Sequence, residues 1–157
     1  MAIEIGQAAP GFTLRDSEKN IVSLNEQKGK TVLLLFYPLA FTGVCTKELC
    51  AIRDDIGRYN NASATVFGIS VDSYATLKKF KEEQNYNFTL LSDFNKEAST
   101  SYGCLYDNFA GWMHGVSKRA AFIVDKQGLI QYAEVLESAA DLPNFEAINA
   151  KLGQLNG

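Results

Sequence analysis

The sequence predicts an α/β domain, a central mixed β-sheet flanked by helices on both faces, with a β-hairpin at its N-terminus. Three observations carry this expectation. Buried-strand runs alternate with amphipathic helical stripes through the first half of the chain, and a hairpin followed by a helix closes the second half. The length of 157 residues suits one domain, expected over residues 1–157, with enough chain to enclose its own core.

Residues 12–24 read as two short strands around the polar turn Asp16-Ser17-Glu18-Lys19-Asn20. Gly29-Lys30 ends the loop that follows. The run TVLLLFY, residues 31–37, is almost continuously apolar and β-prone and stops at Pro38, the pattern of a central strand buried on both faces. Beyond a short loop, Cys45, Leu49, Ile52, Ile56 and Tyr59 recur at spacings of four, three, four and three, which is one stripe of an amphipathic helix. A second buried strand is expected over 65–71, followed by Asp72 and Ser73 as cap candidates for a charged helix carrying Leu77 and Phe80. AAFIVD (120–125), a turn at Lys126-Gln127-Gly128 and LIQYAEV (129–135) make a second hairpin. Phe145, Ile148, Leu152 and Leu155 share one face of a last helix. Residues 102–117 have no clear periodicity, and loops of that length are often functional or mobile.

Hydrophobic residues at 46% and charged residues at 21% are ordinary globular usage, which excludes a disordered tail or a low-complexity scaffold. Fifteen Lys and Arg against eighteen Asp and Glu leave a formal charge of −3 with no basic stripe, so no nucleic-acid partner is expected. The start MAIEIGQAAPGF is acidic where a signal peptide is basic, and no segment approaches the roughly 18 uninterrupted apolar residues of a membrane span. The expected compartment is therefore the cytoplasm, with no membrane partner. Three cysteines are an odd count that a secreted disulfide scaffold does not use, so Cys45, Cys50 and Cys104 each need an explanation. In a reducing compartment a cysteine serves chemistry, a metal or the core.

The stretch PLAFTGVC, residues 38–45, joins the end of the central strand to the start of the amphipathic helix, where α/β sheets usually carry chemistry. A thiol in the first turn of a helix lies near unpaired backbone N–H groups and the positive end of the macrodipole, both of which favour the reactive thiolate. Thr42 is a candidate N-cap whose hydroxyl also has the reach to meet the sulfur or an incoming oxygen. Taken singly, each residue has a plainer reading. Cys45 is then a small core residue, Thr42 a cap, Pro38 a strand terminator and Arg119 an exposed arginine at a strand start.

Pro38-x-x-x-Thr42-x-x-Cys45 resembles the active-site motif of the peroxiredoxins, thiol-dependent peroxidases with a thioredoxin-like fold. The pattern Gly6-x-x-Ala9-Pro10-x-Phe12-x-Leu14, the run LLLFYP, and Arg119 leading into Phe122-Ile123-Val124-Asp125 resemble further blocks of that family, so nearly the whole chain is covered. The resemblance implies that Cys45 is the peroxidatic cysteine, that Thr42 hydrogen-bonds sulfur and peroxide, that Pro38 shields the thiolate, and that Arg119 sets a fixed charge beside both. Donors aimed at the departing oxygen would lower the barrier to O–O cleavage. Glu48, one turn after Cys45, has two readings, a carboxylate that orients an active-site arginine or a solvated acid at the helix start.

A sulfenic acid has to be resolved by another thiol before it is oxidised further. Cys50 resembles the resolving cysteine of the peroxiredoxin Q type, also called bacterioferritin comigratory protein, where CTKELC-like segments hold both cysteines. Five helical residues separate the two Cα atoms by roughly 8 to 9 Å, whereas a disulfide needs about 4.4 to 6.8 Å, so the helix would unwind locally to form it. The loop PLAFTGVC is itself closer to the alkyl-hydroperoxidase-E-like branch, and the resemblance leaves monomer and homodimer both open. Implied partners are a peroxide and a thioredoxin-like or other dithiol protein reductant; no phosphate-binding loop points to an organic cofactor. Cys104 reads as a small buried residue or an alternative resolving thiol. His114, the sole histidine, is expected to have no catalytic role, and Trp112 and Phe109 either cover the pocket or form a contact patch.

Two other chemistries fit less well. A one-cysteine peroxidase served by an external thiol needs no Cys50. A thioredoxin-fold disulfide oxidoreductase uses Cys-x-x-Cys, whereas four residues separate Cys45 and Cys50. Three scattered cysteines and one histidine also lack the paired spacing of zinc ligands.

Overall fold

The computed structural model describes residues 3–156; Met1 and Ala2 of the N-terminal stretch read above, and Gly157 at the end of the expected domain, lie outside them. Strand β1 (Thr13–Asp16) turns back into β2 (Ile21–Ser23), an antiparallel hairpin whose turn is held by the Asp16 carboxylate accepting the Glu18 and Asn20 amides. The central run becomes β3 (Thr31–Phe36), buried at all six positions because it is paired on both edges and covered on both faces. Then follow α1 (Gly43–Asp54), α2 (Ile56–Asn61), β4 (Ala64–Ser70), α3 (Tyr74–Gln84), β5 (Thr89–Ser92), α4 (Glu97–Ser101), β6 (Arg119–Val124), β7 (Ile130–Leu136) and α5 (Phe145–Asn156).

The strands form one sheet in the order β2-β1-β5-β4-β3-β6-β7, parallel across β3, β4 and β5 and antiparallel elsewhere. Pleat alternation divides the core. Leu33, Leu35 and Tyr37 face a layer that includes α1, α3 and α5, while Val32, Leu34 and Phe36 face Leu24, Ala98 and Tyr102. Gly68 of β4 makes room for its neighbours, since a Cβ there would lie 2.9 Å from Leu90 and 3.4 Å from the Tyr37 ring. No helix among the described residues is long and apolar enough to cross a membrane.

Three local expectations change. The single stripe over residues 45–59 is carried by two helices, because Asp55 (φ −122°, ψ 25°) leaves the helical region between them. Its carboxylate accepts from Arg58 Nε, an ion pair within the start of α2 that side-chain periodicity does not register. Of the two cap candidates before α3, Ser73 accepts the Thr76 amide, while Asp72 turns elsewhere. The short β5 and α4 had no periodic signal of their own. The first is secured by β4 and β1, and the second by the buried Asp93 carboxylate, which accepts the Ala98 and Ser99 amides. The aperiodic 102–117 segment is an irregular hairpin with bridges Leu105↔Ser117 and Phe109↔Met113.

Candidate active site

Strand geometry brings the separate site residues together. Because β6 runs antiparallel to β3 with Ala120 opposite Phe36, the first residue of β6 lies beside the end of β3, where the loop to α1 begins. Arg119 shares its pleat face with Ala121 and Ile123, and therefore with Leu35 and Tyr37, the face on which α1 packs. The guanidinium is 1% exposed. One arm, Nη1, donates to Glu48 Oε1 at 2.6 Å; the other, Nη2, donates to Cys45 Sγ at 3.3 Å and to the Ala139 carbonyl at 2.9 Å. An arginine expected from its strand position alone to be exposed is thus among the most deeply buried side chains.

Cys45 itself is 1% exposed in the first turn of α1, and Glu48 is fully buried one turn later. Of the two readings of Glu48, the solvated acid is excluded and the arginine partner is the one observed. Its Oε2 and Arg119 Nε are buried without a hydrogen-bond partner. Burial pushes the Glu48 carboxyl up to about 7, against the opposing pull of the Arg119 charge. A carboxyl raised above its unfolded value contributes stability that is present below about pH 4.5 and lost as pH rises through about 7. The stability difference between wild type and Glu48→Gln, from urea unfolding at about pH 5 and about pH 8, is expected to move against wild type by on the order of 3 kcal/mol. An identical difference at both values means that Glu48 titrates in the ordinary carboxylate range.

The loop before α1 is anchored from β4. Asp72 Oδ2 accepts the Ala40 amide at 2.8 Å and the Ser70 hydroxyl at 2.7 Å. Sequence reading missed this role; the only available signal was an acid directly after a buried strand. Phe41 has φ +67°, a left-handed conformation costly for a bulky side chain, and its ring packs 4.9 Å from that of Phe80. Pro38 is buried. Thr42 occupies the N-cap position with extended backbone but makes no cap bond, contrary to the cap expectation; its hydroxyl donates to the Leu39 carbonyl at 2.7 Å. Thr42 is itself exposed, and its hydroxyl oxygen keeps acceptor capacity.

The other two cysteines lie apart from this cluster. Cys50 is half-buried further along α1, facing Gln84 and Tyr86, and all three cysteines are free thiols. Cys104 is fully buried beside the Ser117 hydroxyl at 3.8 Å, and burial pushes its thiol up to about 12. Both observations fit the small-core-residue reading. In the 102–117 segment, Phe109 stacks on Tyr106, Trp112 stands 73% exposed, and His114 Nδ1 meets the Asp107 carbonyl at 2.8 Å.

A sulfur at a helix start, held against a fixed guanidinium by a buried carboxylate, is built to act as a nucleophile on a substrate that develops negative charge. The AhpC/TSA family model matches residues 5–133. The chain belongs to this family. A putative peroxiredoxin bcp of Coxiella burnetii is 42% identical over 131 residues, covering 83% of this chain and 87% of that one. Alkyl hydroperoxide reductase E of Mycobacterium tuberculosis is 38% identical over 136 residues, covering 85% and 86%. Among solved structures, the peroxidoxin BcpB of M. tuberculosis superimposes with a TM-score of 0.85 at 27% identity over 98% of each chain. The fold is thioredoxin-like, and the protein is a peroxiredoxin, a thiol-dependent peroxidase.

Proposed function

We propose that Cys45 reduces hydrogen peroxide and organic hydroperoxides and that Cys50 resolves the product as an intramolecular disulfide. The observation that carries the first step is the Arg119 guanidinium held on Cys45 Sγ at 3.3 Å by its ion pair with Glu48. In that step the sulfur attacks the terminal oxygen of ROOH, an S–O bond forms as the O–O bond breaks, and RO⁻ departs and is protonated to ROH. Arg119 offers its charge to the departing oxygen. The Thr42 lone pairs receive the hydroperoxide O–H, since the hydroxyl's own proton is engaged by Leu39. Pro38 keeps water from the sulfur, and the near-complete burial of Cys45 favours a reagent no wider at its end than a hydroxyl.

In the second step the Cys50 thiol attacks the Cys45 sulfenic acid; the S–S bond forms, the S–O bond breaks and water leaves. A thioredoxin-like dithiol protein then restores both thiols. Because Cys45 and Cys50 lie on one continuous helix, their Cα atoms are about 8 to 9 Å apart and α1 has to unwind between them.

Peptide mapping of peroxide-treated protein without reductant tests the assignment. A Cys45–Cys50 link is expected in wild type. Cys50→Ser should retain turnover with dithiothreitol and lose it with a thioredoxin-type donor. The absence of that link from wild type removes Cys50 from the mechanism.

A further inference from the structure

The turn of α1 that ends at Cys50 is gripped from outside by one short segment, the C-terminus of α3 and the residues that follow it. The Tyr86 hydroxyl donates to the Thr46 carbonyl at 3.4 Å and lies 3.7 Å from Cys50 Sγ. Thr46 supplies the carbonyl that the Cys50 amide meets in an α-helical ladder, so Tyr86 touches both ends of the turn that has to open. Gln84 Oε1 accepts from the Cys50 thiol at 3.6 Å. One turn on, Arg53 Nη1 donates to the Gln84 carbonyl at 2.6 Å, and Asn87 Nδ2 returns a bond to the Arg53 carbonyl at 3.2 Å. Beyond Arg53 the helix already ends at Asp55, so unwinding around Cys50 need not propagate into α2. A helix of twelve residues is marginal by itself and depends on such tertiary contacts.

We propose that Tyr86, with Arg53 and Gln84, is a clasp that holds the second half of α1 helical, and that its strength sets how quickly Cys50 reaches the Cys45 sulfenic acid. This rests on the reading of Cys50 as the resolving thiol. Tyr86 acts as a positioning residue, since it meets Cys50 and the helix backbone and not the peroxide. The clasp divides the sulfenic acid between two fates. Opening leads to the disulfide and water; delay leaves time for a second peroxide, which transfers one oxygen to the sulfur, giving the sulfinic acid and ROH.

Tyr86→Phe tests this, because the ring keeps its packing on Phe80 and Phe88 while the hydroxyl bonds are lost. In the reduced variant, amide hydrogen exchange over residues 46–52 is expected to quicken about three- to tenfold. Disulfide formation, followed by rapid quench and alkylation, should quicken in the same proportion, and the sulfinic fraction at excess peroxide should fall. The rate of the first step with peroxide should stay as in wild type. Arg53→Met should reproduce the direction of all four readouts. Unchanged exchange and an unchanged disulfide rate, in a protein whose wild type does form the link, overturn the clasp alone. Faster exchange with no disulfide in wild type or variant overturns the resolving role of Cys50, and with it the clasp's effect on resolution.

Discussion

Cys45→Ser is expected to lower peroxide consumption by roughly 10⁴-fold or more, under either a dithiothreitol or a protein dithiol supply. The hydroxyl that replaces the thiol is a far weaker nucleophile near neutral pH, and the sulfenic acid that carries the cycle has no serine counterpart. The fold should survive the change. Serine is close to cysteine in size, and the substituted oxygen can accept the bond that Arg119 Nη2 now donates to sulfur. Three readouts separate chemistry from stability: peroxide consumption, trapping of a sulfenic acid by a carbon nucleophile, and thermal unfolding. Loss of the first two with a near-wild-type transition is the expected result. Undiminished consumption by the variant would remove Cys45 as the nucleophile.

Arg119 carries the next largest effect. Losing one preorganised donor to a developing oxyanion costs about 10²- to 10³-fold, and Arg119→Met should lower the second-order rate with peroxide by that order. Arg119→Lys keeps a charge but not the fork that reaches Glu48 and Cys45 with separate arms, so it should recover only part of the loss. Removing Arg119 also takes the hydrogen-bond donor from the buried Glu48 carboxyl, which costs about 1–3 kcal/mol. The double variant Arg119→Met with Glu48→Met separates the two effects, because an apolar pair leaves no buried polar group unpaired, so its stability should recover while its rate should not. Recovery of the rate in the double variant would show that Arg119 serves the fold and not the reaction.

Much of this arrangement was legible along the chain. The run 31–37 announces a strand covered on both faces, and β3 is buried at every position. The hairpins at 12–24 and 120–135 follow from polar turn residues between strand-like runs, and both form with antiparallel pairing. The apolar stripe that begins at Cys45, shortly after a strand that stops at Pro38, places a thiol at a helix start, and the thiol is found there. Short elements were the weak point. β5 and α4 hold four and five residues, too few for a period to show, and their stability comes from partners distant in sequence. The interruption at Asp55 was hidden for a related reason, since the apolar stripe continues in register across a one-residue change of backbone.

The sequence by itself determined the class of fold and the place of Cys45 at a helix start, because both are written in local periodicity, while the chemistry followed from the resemblance of its motif to the peroxiredoxins. Without the resemblance, which sets Arg119 beside the thiol, it left that residue as a strand-start arginine, and it left Glu48 with two readings. Only the tertiary structure decided those: β6 pairs antiparallel with β3, and that pairing carries a guanidinium 74 residues from Cys45 onto its sulfur and into a buried pair with Glu48. The same holds for Tyr86 and Cys50, 36 residues apart, whose contact depends on α3 packing beside α1 on one face of the sheet. A chain's periodicity reports which face of an element is apolar, while the partner that face meets is set by strand order and register.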